Sequence, residues 1–193
     1  MESYKYIVTG QDKNSLAAIK QILCSCGHIF LGYSQETQNI LRHIRRTSPD
    51  VVIIEAYNDF TELRPLLEIL DEELLAVCIL VVKEKTDEIC EFLWNTRNVG
   101  LITLPVNEES VMQIVDMSYL NFRRILDYEE KVKKLNEALE NRKIVERAKW
   151  VLVEDNGISE NDAYELIRKR SRDGRLPMRE IAEAILMVKG IID

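Results

Sequence analysis

Residues 48–55 read SPDVVIIE, and the stretch VVII at 51–54 is an unbroken apolar run. A strand with one face in water alternates apolar with polar residues, whereas a strand covered on both faces has no polar side to supply. Residues 77–82, VCILVV, carry the same pattern. The two runs predict the central strands of a parallel sheet with helices on both faces. Outward from them, residues 4–9, 29–33 and 101–104 supply three more short apolar runs. Residues 15–23, 37–46, 61–70 and 87–96 place apolar side chains at helical spacing. Strand and helix alternate throughout, so residues 1–122 are expected to form one five-stranded α/β domain.

The composition is that of a folded chain. Of 193 residues 46% are hydrophobic, and 7 Gly with 4 Pro are too few for a loop-rich protein. The net charge of −7 is unevenly held. Residues 1–141 contain 15 Lys and Arg against 23 Asp and Glu, whereas residues 142–193 contain 11 against 10. A polyanion partner is therefore expected only at the C-terminal end. No apolar run approaches the length of a membrane-spanning helix, and MESYKYIVTG lacks the layout of a secretory leader, so no membrane partner is expected. Cys24, Cys26, Cys78 and Cys90 sit in apolar or helical contexts, as reduced thiols of a cytoplasmic protein would. Cys24, Cys26 and His28 lack a second ligand pair and are expected to pack in the core, so neither metal nor cofactor is expected. Nor is an enzyme: TGQDKNS, residues 9–15, is no phosphate-cradling glycine loop, and His28 and His43 are the two histidines of the chain.

Between Pro105 and Gly157 there is neither Gly nor Pro, which predicts one helix over residues 108–154. Along it Ile125, Tyr128, Val132, Leu135 and Leu139 fall at spacings of three, four, three and four. That is a heptad seam about two heptads long. One reading is an amphipathic face packed on its own domain. The other is a parallel homodimer seam in a coiled-coil linker over residues 123–141, favoured by the mixed charges of Glu129, Glu130, Lys131, Lys133 and Lys134. The Asn156-Gly157 break suits a helix C-terminus, and Ser159 three residues before Asp162 suits a capped start for a helix over 160–170. Gly174 is expected to end that helix, and Pro177 to sit in the first turn of a last helix reaching residue 189. Ile181, Ala182, Ile185, Leu186 and Val188 give this last helix its apolar face. Arg168, Lys169, Arg170, Arg172 and Arg175 crowd into eight residues with Asp173 alone opposing them, a local reversal of sign that predicts a polyanion-binding surface.

These C-terminal residues resemble a known module. Leu135, Ala138, Leu139, Arg142, Ile144, Ala148-Lys149, Gly157-Ile158, Ala163-Tyr164, Leu166, Arg168, Ser171, Leu176, Ile181 and Ala182 are similar to the ANTAR domain, a small three-helix module of bacterial transcription antitermination regulators. The resemblance implies an ANTAR domain over residues 142–193 that holds structured RNA, a hairpin with an exposed loop and usually two adjacent hairpins, in an antiterminator form. Lys149, Tyr164, Arg168, Lys169, Arg172 and Arg175 are the expected RNA-binding residues, by guanidinium–phosphate pairing and by stacking on splayed loop bases. Core packing is an equal reading for Tyr164, and Lys149 can instead serve the end of its own helix. Arg170 and Arg179 fit solvated helix charges, while Ala148, Ala163 and Ala182 fit helix–helix contacts. Trp150 departs from the pattern, which has Gly there.

The N-terminal part resembles a response-regulator receiver domain. Ser48-Pro49-Asp50 before VVIIE is similar to that family's entry into its third strand, and Leu104-Pro105-Val106 to the end of its fifth. A flavodoxin-like five-stranded parallel sheet is implied. Receivers accept a phosphoryl group on an Asp ending the third strand, beside an acidic pair that holds Mg²⁺, a hydroxyl after strand four and a Lys after strand five. Those positions fall on Glu55, on Thr9 and Gly10, on Val82 and on Leu104. Thr9 and Gly10 bring no carboxylate to a divalent ion. Val82 and Leu104 offer a phosphoryl oxygen neither a hydrogen bond nor a charge. Glu55 is one methylene too long, and Asp12 and Asp59 are the other carboxylates nearby. A pseudo-receiver without phosphotransfer is expected. The whole chain is expected to be a homodimeric RNA-binding antitermination regulator. The alternative is a signalling adaptor that uses the coil and basic helix to engage a regulatory protein partner. A DNA-binding output is less suited, since no turn-and-recognition-helix layout is visible.

Overall fold

The computed structural model describes residues 3–10, 13–34, 37–56 and 60–190. The chain divides into two compact units, residues 1–127 and 128–193. In the first, strands and helices alternate as β1 (Lys5–Thr9), α1 (Lys13–Ser25), β2 (Ile29–Ser34), α2 (Thr37–Thr47), β3 (Val51–Glu55), α3 (Phe60–Glu72), β4 (Val77–Val82), α4 (Asp87–Asn95) and β5 (Val99–Thr103). Helix α5 (Glu108–Asn156) begins in this unit and continues into the second, where α6 (Glu160–Gly174) and α7 (Met178–Val188) follow. The sheet has the order β2-β1-β3-β4-β5, and every pairing is parallel.

The unbroken runs have the expected cause. Every residue of β3 and β4 is buried. Val52 and Ile54 join a core with Ile44 of α2, Leu67 of α3 and Phe92 of α4. Val51 and Ile53 face the other way, onto Leu16 and Ile19 of α1 and Val111 and Val115 of α5. Each such side chain contributes roughly 1.5–3 kcal/mol on burial, so both faces select apolar residues. Strand β5 starts at Val99, two residues before its expected start, and the reason is Gly100. A Cβ there would lie 2.5 Å from Ser118 Oγ of α5, so the strand accepts a poor β-former to let the helix approach.

The second unit is a three-helix core with a repeated small–large pair. Ala148 and Leu152 of α5, Ala163 and Ile167 of α6, and Ala182 and Leu186 of α7 are all buried. Each pair is spaced i, i+4, so the alanine brings two backbones close and the larger side chain fills the space one turn on. Ser159 caps α6, its hydroxyl accepting from the Asp162 N–H at 3.2 Å. Gly157, at φ 60, makes the turn before it.

Three details differ from expectation. Pro177 is the N-cap of α7 rather than part of its first turn, because its ψ of 145° is extended. Helix α6 runs past residue 170 to Gly174, where the chain is expected to leave the helix, and the left-handed position falls on Arg175 at φ 53. Cys24 is exposed and Cys26 half-buried, so neither belongs to the core. The apolar stripe of α1 is Leu16, Ile19 and Leu23, and Cys24 is rotated off it. His28 is buried as expected. No helix of the described residues is long and apolar enough to cross a membrane.

Candidate nucleic-acid interface

The positions mapped onto a receiver's phosphorylation site do converge. Parallel strands end on one edge, and Thr9 pairs in register with Ile54, Glu55 with Val81, and Val82 with Thr103. Thr9, Glu55 and Val82 are buried. Leu104 packs half-buried against the core under α1 and α5. A Cβ on Gly10 would meet Oε2 of Glu55 at 2.3 Å and Leu16 Cδ1 at 2.9 Å, so the Glu55 carboxylate occupies the space in which a residue-10 side chain would start. The first hydroxyl residue after β4 in the chain, Thr86, caps α4 by accepting from the Ile89 N–H at 3.3 Å. Asp12 and Asp59 lie outside the described residues. Among the positions described, none supplies the paired carboxylates that a hard divalent cation requires.

The basic cluster is split by the geometry of α6. Ala163 and Ile167 mark its inner face. Helical period then puts Arg168, Lys169 and Arg172 on the outer face, and all three are exposed. Arg170 comes round to the inner side, where it lines a groove with Leu152, Ile181 and Ile185. Arg175 extends the outer group past the helix end. Its N–H reaches Arg172 O at 3.3 Å and the Leu176 N–H reaches Ser171 O at 3.1 Å, a Schellman turn normally built on Gly. The Ser171 hydroxyl donates to Leu176 O at 2.6 Å and holds this turn. Arg168 shares its face with Glu165, whose carboxylate it meets at 3.0 Å, an exposed pair of small energetic weight. Lys169, Arg172 and Arg175 form no ion pair among the described residues.

Lys149 stands apart from that face. Its ammonium bonds Glu146 at 2.8 Å, approaches Glu160 at 3.7 Å, and its side chain is only 12% exposed. The Glu146 hydrogen bond holds its pKa above the ordinary lysine value, against the opposing effect of desolvation. The residue thus acts as a strut between α5 and the start of α6. Tyr164 is partly exposed and lines an open groove with Arg142 of α5 and Met178 and Arg179 of α7. Arg179 is anchored there, donating to Asn141 Oδ1 at 3.0 Å and to Glu183 Oε1 at 2.7 Å. The cationic pair Arg142 and Arg179 beside Tyr164 is absent from the expected RNA-binding set. The two lie 37 residues apart, and only the packing of α7 on α5 brings them together.

Along α5 the heptad residues are open to solvent. Ile125 is half-buried, while Tyr128, Val132, Leu135 and Leu139 are exposed and belong to none of the hydrophobic cores of the described residues. Ion pairs flank them, Lys134 to Glu130 and Lys143 to Glu140, both at 2.6 Å.

Comparison with known proteins agrees with this architecture. Residues 133–186 match the ANTAR domain family. The chain is 25% identical over 173 residues to the transcriptional regulatory protein PdtaR of Mycobacterium tuberculosis, covering 89% of this chain and 84% of that protein. It is 44% identical over 57 residues to the nitrate regulatory protein of Klebsiella oxytoca, covering 30% of this chain and 14% of that one. In fold, the first unit is similar to a CheY-like response regulator receiver domain from Methanospirillum hungatei JF-1, with a TM-score of 0.54 and 18% identity over 64% of this chain and 98% of that one. The signal receiver domain of a modulated diguanylate cyclase from Desulfovibrio desulfuricans G20 is similar too, with a TM-score of 0.54 and 13% identity over 63% of this chain and 98% of that one. The chain is therefore an ANTAR-domain protein whose N-terminal unit has the receiver fold.

Proposed function

We propose that this protein regulates transcription by antitermination, binding hairpin RNA through the outer face of α6 and the turn after it. The observation that carries the reading is the grouping of Arg168, Lys169, Arg172 and Arg175 on one exposed surface, three of them without an ion pair among the described residues. A planar guanidinium pairs with phosphate oxygens and stacks on unpaired bases, which suits a hairpin loop better than a continuous duplex. Tyr164, in one groove with Arg142 and Arg179, supplies an aromatic surface for such a base. The names of the relatives, a transcriptional regulatory protein and a nitrate regulatory protein, support the regulatory part of this reading.

The active species is a parallel homodimer joined along the exposed heptad residues of α5, and the receiver-fold unit acts without phosphotransfer. Support for the second point is the coordinated chemistry at Thr9, Gly10, Glu55, Val82 and Leu104, together with the Glu55 carboxylate seated against Gly10. The test is a titration of hairpin RNA with the wild type and with a variant carrying Arg168→Ala, Arg172→Ala and Arg175→Ala. Loss of affinity in the variant supports RNA binding through this face. Equal affinities overturn it, and partner binding that survives nuclease treatment would favour a protein adaptor instead.

A further inference from the structure

His28 is a titratable ring sealed inside the first unit, only 6% exposed. It immediately precedes β2, and its own backbone N–H reaches Leu23 O at 3.0 Å. The Tyr4 N–H meets its Nδ1 at 3.1 Å, and a backbone N–H can only donate. Nδ1 is therefore the lone-pair nitrogen, and the ring proton sits on Nε2, which is buried with no partner among the described residues. The imidazole lies flat on the Tyr4 ring, with centroids 4.7 Å apart and 6° between the planes. Tyr4 in turn reaches α5. Its hydroxyl donates to Asp116 Oδ1 at 2.9 Å, and its ring packs on that of Tyr119 at 4.4 Å. Tyr4 thus holds His28 by its backbone and ring, and α5 by its hydroxyl and ring.

We propose that His28, Tyr4 and Asp116 form a proton-operated switch, in which proton uptake by the imidazole moves the Asp116 carboxylate from the Tyr4 hydroxyl to His28. The proton comes from solvent and can add only at Nδ1, because Nε2 already carries one. Nδ1–H then faces the Tyr4 N–H, donor against donor, and that hydrogen bond is lost. An imidazolium held in so buried a place must be paired. Around the stack, β1 brings Tyr4, and α5 brings Asp116 and Tyr119. The end of α1 brings Cys26, whose thiol is turned to Glu108 of α5 at 3.9 Å. Asp116 is the charged group that acts on the ring: burial lowers the His28 pKa, and Asp116 works against that shift. The imidazolium competes for the carboxylate with a full charge, where the phenol offers a dipole. The exchange releases the Tyr4 hydroxyl from α5, the helix that runs on into the second unit.

The experiment labels the histidines of the full chain and follows them by NMR from about pH 7.5 to about pH 4.5, a range that spans the ordinary histidine value. The His28 signal is the one lost in His28→Asn, and His43 gives the other. Asp116→Asn keeps an acceptor for the Tyr4 hydroxyl but no charge, and should weaken proton affinity at His28 by at least about threefold. Tyr4→Phe keeps the ring stack and the backbone bond but releases Asp116, and should strengthen that affinity by a similar factor. Amide exchange over residues 112–122 of α5, corrected for the intrinsic effect of pH, should quicken as His28 titrates in the wild type and not in His28→Asn. A fall in Asp116→Asn without the rise in Tyr4→Phe is attraction between charges with no exchange of partners, and it overturns the proposal. Equal midpoints in the three proteins overturn it, and so does amide exchange that stays constant through the titration. A first unit that unfolds before His28 gains its proton overturns it as well.

Discussion

Gly10 and Glu55 interlock: a Cβ on Gly10 would lie 2.4 Å from the Cβ of Glu55 and 2.3 Å from its Oε2. The glycine also sits at φ 150, where side chains are seldom tolerated. In this backbone arrangement a side chain on residue 10 and the side chain of Glu55 cannot both be accommodated. Atoms of Glu55 fill the space in which an acidic residue 10 would start.

Incubation with acetyl phosphate and Mg²⁺ should accordingly leave the intact mass unchanged. Restoring the carboxylates should fail too. Glu55→Asp withdraws the clashing oxygen but keeps the Cβ, so Gly10→Asp should destabilise the first unit by roughly 2–3 kcal/mol in either background. Chemical denaturation measures that cost. A hydroxylamine-labile mass gain in the wild type would contradict the pseudo-receiver reading outright.

Leu135 is 69% exposed and stands on the heptad line of α5. Leu135→Lys puts a charge where an apolar knob should enter its partner, so the dimer should dissociate while the circular dichroism of the monomer is kept. Equilibrium sedimentation decides the matter. An unchanged dimer would mean that the copies join elsewhere, and Leu135→Lys would then serve as a control for that other surface.

Arg175 takes a left-handed conformation that costs a residue with a side chain about 1–2 kcal/mol. Arg175→Gly should raise the melting temperature of the second unit, because Gly meets no such penalty at a Schellman turn. The same change should lower affinity for hairpin RNA. A gain in stability without loss of binding would show that the strain serves no contact.

His28 provides a pH dependence. Its Nδ1 accepts the Tyr4 N–H at 3.1 Å, its ring stacks on Tyr4, and its Nε2 is buried with no partner among the described residues. Burial lowers its pKa from the ordinary value, and Asp116 opposes that shift. The unfolded chain thus takes up the proton near the ordinary value of about 6.5, at a pH where the folded protein still refuses it. The stabilisation is complete above that pH and is lost as pH falls through the folded value. Urea midpoints should therefore drop between pH 7 and about pH 5.5 in the wild type, and drop less in His28→Asn, which keeps an acceptor without a titrating ring. Equal losses in both proteins would remove His28 from the account.

Much of this architecture is legible in the sequence, because burial on two faces leaves a mark that a single residue string can carry. VVIIE and VCILVV predict β3 and β4 to the residue, and Ser159 marks the start of α6. What escapes is set by tertiary contact. Gly100 hides the first half of β5, since the helix it accommodates lies far along the chain. Lys149 reads as one more basic residue until Glu146 and Glu160 are seen around it. Arg170 belongs to the basic run in sequence but turns to the inner side of α6, a separation that only the position of Ala163 and Ile167 reveals.

That separation gives the last prediction. Arg168, Lys169 and Arg172 share an outer face, whereas Lys149 is held between two carboxylates. Replacing an outer arginine should cost roughly 1–3 kcal/mol of RNA affinity where it reads a base and less where it meets a phosphate. Salt distinguishes the two: loss of a phosphate contact flattens the dependence of affinity on ionic strength, while loss of a base contact changes the preference among loop sequences. Lys149→Met should behave differently, lowering the unfolding midpoint because Glu146 and Glu160 lose the cation between them, and leaving the salt dependence of RNA binding unchanged. The titrations are made with the full chain against one hairpin at several ionic strengths. If Lys149→Met flattens the salt dependence as an outer arginine variant does, the lysine leaves its strut to meet the phosphate, and the interface is wider than the outer face of α6.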